Sequence, residues 1–208
     1  MAISRVVIPE LLDGLHPDDP EARRSRRDLR LINALMGNAG WVVGGVTGAR
    51  QIVEIGAGDG GLCRKLSATF PGSRVLGVDL AERPAELPDE ISWQCGDLFA
   101  ELPKHPADAL VGVMILHHFT DDRLGELGRL FENFRTLCFC EPWRAALPRL
   151  FGRLMFPLVG RVTRHDMPVS INAGFRRGEL PELLGLENWN VKESVDWRGS
   201  VRLLARRR

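Results

Sequence analysis

The stretch Gln51-Ile-Val-Glu-Ile-Gly-Ala-Gly-Asp-Gly-Gly61 decides the fold, because a short, mostly apolar strand runs straight into a glycine turn. Glycines at 56, 58 and 60 permit positive φ and let a ligand approach the main chain where a Cβ would block it. Leu62 to Phe70 reads as a helix that ends at Pro71-Gly72, so the free N–H groups of its first turn face whatever sits over the glycines. Strand, glycine turn and helix together open a nucleotide-binding α/β unit. Gly56, Gly58 and Gly61 also satisfy G-x-G-x-x-G, the dinucleotide pattern, which alone does not decide the ligand.

Glu54 tips the balance. An acid two residues before the first glycine repels a pyrophosphate and favours a cationic ligand; S-adenosylmethionine (SAM) carries a sulfonium and an ammonium and no phosphate. Val53-Glu-Ile-Gly-Ala-Gly-Asp-Gly60 resembles the first motif of the Rossmann-like (class I) SAM-dependent methyltransferases, and the resemblance extends over roughly residues 50 to 205, one domain's worth of chain. It implies a three-layer α/β fold whose seven-stranded sheet has the order 3-2-1-4-5-7-6, the last strand antiparallel, with helices on both faces. It also implies that Glu54, Gly56, Ala57 and Gly58 lie along the methionine end of the cofactor.

Arg74 to Asp79 is a second strand, and Asp79 at its carboxyl end is placed to hydrogen-bond ribose hydroxyls, with Leu80 beside it; capping the next element is its other reading. Ile91 to Cys95 is a third strand leading into Gly96-Asp-Leu-Phe99. By the same resemblance Asp97 binds the adenine amino group and Leu98 packs on the ring. Nicotinamide dehydrogenases require no acid there, whereas an Asx-turn would use one. Asp108 to Leu116 is nearly all apolar, as a central parallel strand is. Its end, Met114 to Phe119, falls where strand order reverses, so Met114 is expected at the cofactor and His117 or His118 is a candidate base. Neighbours in an extended segment point to opposite sides, so at most one of the two histidines faces the site.

Outside this core, Asp18-Asp-Pro20 starts a helix to Met36 whose Arg23, Arg24, Arg26, Arg27 and Arg30 form either a solvated face or a surface for an anionic partner or membrane. Gly37 to Gly48 reads as a loop. Asp121 to Phe134 is a helix and Thr136 to Glu141 a fifth strand. Trp143 to Leu158 carries Trp, Leu, Phe and Met at helical spacing, a stripe that is either core or the wall of an apolar acceptor site. Val159 to Phe175 reads as a long polar loop, which makes His165, with Asp166 to orient it, the favoured base ahead of His117 and His118. Arg176 to Leu184 is a helix, and Asn188 to Ser194 with Val201 to Ala205 forms a terminal hairpin. The expected division of a single domain, 1–208, is a lid at 1–49, a SAM-binding core at 50–142, a substrate-side insertion at 143–184 and the hairpin at 185–208.

With 208 residues and 44% hydrophobic content, one domain with a full core is expected. A net charge of +1 gives no global basic field, so nucleic acid is not the expected partner. No apolar run approaches a bilayer span, no leader is evident, and a cytoplasmic protein is expected, with peripheral membrane contact left open. Cys63, Cys95, Cys138 and Cys140 show no C-x-x-C spacing, so reduced thiols and no metal site are expected; Cys138 and Cys140 should share one strand face. The chain has no Tyr, which removes phenolic bases. The reading is therefore SAM-dependent methyl transfer to a small, apolar or aromatic acceptor of phenol, pyrone or quinone type. Its alternatives are a SAM-binding protein that acts through a partner without transfer, and an NAD(P)-dependent oxidoreductase on a related fold.

Overall fold

Asp19 opens the first helix by accepting the Glu21 N–H, with Pro20 where a missing N–H does no harm. This helix, α1 (Pro20–Met36), stops at Gly37, and α2 (Asn38–Gly45) follows at once in the computed structural model, which describes residues 4–16 and 18–208. Here the expected loop at 37–48 is corrected. One of its glycines serves packing: a Cβ on Gly45 would stand 2.7 Å from Cys138 Sγ, so glycine there lets α2 lie flat on the sheet.

The elements that follow are β1 (Gln51–Ile55), α3 (Gly61–Thr69), β2 (Arg74–Asp79), β3 (Ile91–Cys95), the short α4 (Leu98–Glu101), β4 (Ala107–Val113) and α5 (Asp121–Leu130). Then come β5 (Phe134–Pro142), α6 (Ala146–Met155), α7 (Arg161–Ala173), α8 (Glu179–Leu183), β6 (Trp189–Asp196) and β7 (Ser200–Arg207). The sheet order is β3-β2-β1-β4-β5-β7-β6, as expected; the first five strands are parallel, and β7 lies antiparallel to both β5 and β6.

Alternate residues of β1 feed two cores. Ile52 packs with Val42, Leu62 and Leu66 of α2 and α3, while Val53 and Ile55 face Leu124, Leu127, Phe131 and Leu180 on the α5 and α8 side. Cys138 and Cys140 share the α2 face, their thiols directed at the Val42 and Asn38 carbonyls. Burial pushes Cys138 up to about 12 and Cys140 well above its ordinary value, so both stay protonated and unreactive.

The largest departure from expectation lies at 159–175, which is no loop: residues 161–173 form α7, with Pro168 inside. Its polar residues read as loop because Thr163, Asp166 and Ser170 are spent on holding other segments. Helix α6 is shorter than expected, since Trp143 pairs as a bridge with Phe175 and Pro148 falls in the first turn, where it causes no kink. Similarly, residues 131–133 close α5 as a single 3₁₀ turn, and the turn Leu116–His118 follows β4 where extended chain was expected.

Helices α5 and α8 meet at Gly128, where a Cβ would lie 1.9 Å from the Leu184 carbonyl oxygen. Backbone cannot yield there as a flexible side chain would. Gly128→Ala should lower unfolding stability by about 1 to 3 kcal/mol, seen as a reduced denaturant midpoint at unchanged slope.

Candidate functional site

The carboxyl ends of β1, β2, β3 and β4 open on one edge of the sheet. Gly56, Gly58 and Gly60 have φ of 62°, 57° and 71°. A Cβ on Gly56 would strike Ile115 at 2.6 Å, whereas one on Gly58 would meet nothing within 4 Å, so the loop packs on one side and is open on the other. Asp79 ends β2 with one carboxylate oxygen accepting Gly58 N–H at 2.8 Å and the other accepting Ala81 N–H, which pins the loop over the strand. Asp97 accepts the Phe99 N–H and caps α4, with Leu98 as first helical residue. Ala57 is buried, while Leu80 is 79% exposed, an apolar side chain facing outward beside Asp79.

Glu54 differs from its expected environment. It is buried, its partner is the Cys63 thiol at 2.8 Å, and burial pushes its carboxyl up to about 8. At neutral pH it is mostly protonated, and a cation brought near would favour the ionised form. From outside, Arg30 of α1 reaches Asp59 at 3.0 Å, so α1 closes over the glycine loop.

Beyond Val113 the chain turns sharply. Met114 adopts φ 57°, the only non-glycine positive φ among the described residues, and its N–H bonds Cys140 O. The turn that follows wraps around Glu141, a wholly buried carboxylate at the end of β5 that accepts the N–H groups of Ile115, Leu116 and His117 and also meets His117 Nδ1 at 2.9 Å. On the opposite side His117 Nε2 lies 3.5 Å from Glu10, and His118 Nδ1 lies 3.7 Å from Asp13. The rings of His117 and His118 are 4.3 Å apart. Because they sit on a tight turn and not in extended chain, both look toward residues 10–13, which corrects the expectation that only one could face a site. Glu10, His117 and His118 each bring one ligand atom within 4.8 Å of the others, a spacing that a divalent cation can use.

Burial works against charge on His117, but Glu10 and Glu141 outweigh it and raise its pKa to about 9. Burial likewise pulls Glu10 upward, yet bonds from His117 and Ser170 bring it below the usual carboxylate value. Burial and the charge on His117 hold His118 below the usual histidine value. His117 and Glu10 therefore form an ion pair at neutral pH.

Residues 5–13 are fastened across this site. Arg5 donates to the carbonyls of Ala173, His117 and Phe119 and lies over the Phe175 ring, and Asp166 accepts the N–H groups of Leu11 and Leu12. Ser170 of α7 bonds Glu10. His165 stands half-exposed on α7 with Asp166 as its partner, so the polar-loop premise for choosing it does not hold. Sequence reasoning missed Glu141 and Glu10. Glu141 had a signal, since an acid at the carboxyl end of a central strand is what singled out Asp79; Glu10 had none, because only the fold brings it to His117.

A sheet of this order, with a glycine turn after β1 and acids ending β2 and leading from β3, is the fold of class I, Rossmann-like SAM-dependent methyltransferases. The profile of the O-methyltransferase domain family matches residues 17–138, and the chain belongs to that family. It is 30% identical over 100 residues to strychnine O-methyltransferase of Strychnos nux-vomica, covering 46% of this chain and 26% of that protein. It is also 30% identical over 77 residues to cephaeline 6'-O-methyltransferase CiOMT of Carapichea ipecacuanha, covering 36% and 21%. The chain thus spans about a quarter of these relatives' length. The fold is similar to that of human N-acetylserotonin methyltransferase in complex with SAM (TM-score 0.63, 18% identity, 94% of this chain and 61% of that one). It is also similar to the plantazolicin methyltransferase BpumL in complex with SAH (TM-score 0.68, 14% identity, 92% of each chain).

The sign of the His117 linkage is testable. Its folded pKa exceeds the unfolded one, so the stability it contributes is complete below about pH 6.5 and is lost as pH rises through about 9. Glu10→Gln should lower the His117 pKa by about one unit or more in an NMR titration of the imidazole signals and shrink that alkaline loss. An unchanged pKa would remove Glu10 from the pair.

Proposed function

We propose that the protein transfers the methyl group of SAM to a hydroxyl of a small, apolar aromatic acceptor. The observation that carries the reading is His117, buried and oriented through Nδ1 by Glu141, with Nε2 turned to the side from which Glu10 approaches. Family membership supports the chemistry, and it sets aside the nicotinamide alternative. The chain is read as one methyltransferase unit in which residues 1–49 and 143–184 border the acceptor.

SAM would lie over the open side of Gly58, with Gly56 and Ala57 beneath it, Asp79 and Leu80 at the ribose, Asp97 and Leu98 at the adenine, Met114 near the sulfonium, and Glu54 below as an acid that ionises when a cation arrives. Bound SAM supplies an electrophilic methyl on sulfur. With Glu10 withdrawn, His117 would lose one of the two carboxylates that keep it protonated, and the neutral ring would take the acceptor hydroxyl's proton on Nε2 as that oxygen attacks the methyl that SAM would supply, SAM leaving as its neutral thioether product. Glu141 fixes the ring tautomer and offsets the imidazolium charge. Positioning supplies much of the rate in such a displacement, which fits a rigid base on a tight turn. Glu10 stands where the acceptor hydroxyl must come, so residues 5–13 withdraw, in this reading, when acceptor binds. The lack of Tyr and the exposed side of His165 leave His117 as the base of choice, with His118 beside it.

Calorimetry should show binding of SAM and its demethylated product and none of NAD or NADP, with Asp79→Ala weakening SAM by about 1.5 to 3 kcal/mol. Binding of NAD alone would reverse the reading. In a screen of phenols with SAM, turnover should appear with alkyl-substituted members and fall about 10²-fold or more in His117→Ala while SAM affinity holds. Full activity in His117→Ala would hand the base to another group.

A further inference from the structure

Helix α6 and the turn that follows it carry an apolar row that no described residue covers. Leu147, Leu150, Leu154 and Leu158 follow one another at intervals of three and four residues, and the last three are 53%, 65% and 76% exposed. Phe151, on the inner side, instead meets Trp197 edge to face. A leucine stripe left in water is costly unless something apolar takes it up.

Charge identifies the partner. From Trp143 to His165 there are five arginines and no acid. Arg144 and Arg149 are used within the fold, bound to Glu179 and Asn172, whereas Arg153, Arg161 and Arg164 are exposed, Arg161 beside Glu21 of α1 at 3.8 Å and Arg164 donating also to the Val159 carbonyl. Arg23, Arg24, Arg27 and Arg30 of α1 line an open concavity, and the stem of Arg24 packs over Gly160, two residues past Leu158. The leucine row of α6 therefore runs into the arginine row of α1. A short helix with an apolar stripe, cationic flanks and no hydrogen-bonding group on the stripe has the pattern of an element lying in a lipid interface. No described helix is long and apolar enough to cross a membrane.

We propose that the outer face of α6, with the arginine row of α1 beside it, docks on an anionic lipid surface. Leucines enter the acyl boundary while arginines meet phosphate headgroups. The proposal concerns the surface alone and is independent of the chemistry assigned to His117.

The experiment is co-sedimentation of the full chain with phosphatidylcholine vesicles, with or without about a quarter phosphatidylglycerol. Binding should be at least about tenfold tighter to the anionic vesicles and should weaken as salt is raised. Leu150→Glu with Leu154→Glu should abolish it. Should that pair unfold, as judged by circular dichroism, the charge variant Arg23→Gln with Arg24→Gln and Arg27→Gln decides the matter instead, and it should lose the preference for phosphatidylglycerol. No vesicle binding, or equal binding to neutral vesicles, overturns the proposal. So does a dimer in analytical ultracentrifugation that the leucine variants dissociate, which would assign the stripe to a second copy of the chain.

Discussion

A single buried carboxylate organises the centre of this molecule. Among the described residues, the partners of Glu141 are three consecutive main-chain N–H groups and one imidazole, with no Lys or Arg side chain. A carboxylate in the interior is tolerated only when its lone pairs are filled, and filling them requires the chain after β4 to fold back over the end of β5. The left-handed Met114 is the local strain of that turn, held because the surroundings over-determine it. Ile115, placed by the same turn, packs against Gly56, so the glycine loop and the histidine turn are set by one another.

Above this centre, closure is made by polar contacts between segments far apart in sequence. Asp28 of α1 is buried and accepts Gly160 N–H at 2.7 Å and the Thr163 hydroxyl, and Thr163 also bonds Ser25. Asp166, Ser170 and Arg5 hold residues 5–13 against α7 and the histidine turn. Such bonds specify geometry strongly because an orphaned partner would be penalised, yet they add modest net stability.

The sheet was legible because its signals are local. An apolar strand feeding a glycine turn, acids at strand ends and alternation of buried residues all lie within a few positions of each other, and the bounds of α1, β2 and β3 read from Pro20, Arg74 and Ile91 agree with the structure. Where tertiary demand overrides local preference, the reading failed. Glycines 40, 44 and 45 argue for loop, but α2 needs the last of them to lie on Cys138. Pro168 and a run of polar residues argue for loop in α7, but those polar groups are tethers for segments that the sequence does not reveal. For the same reason Asp79 and Asp97 could be singled out, whereas Glu10 could not; its partner is defined by topology.

The union of α1 with α7 through Asp28 has a kinetic side. Buried bonds make the two helices one body, while the direct tie from α1 to the glycine loop is the Arg30–Asp59 pair, more than a third exposed on both sides and worth about 0–1 kcal/mol. Salt, which screens an exposed pair, therefore speeds the parting of α1 from the glycine loop while the buried bonds to α7 keep the two helices together.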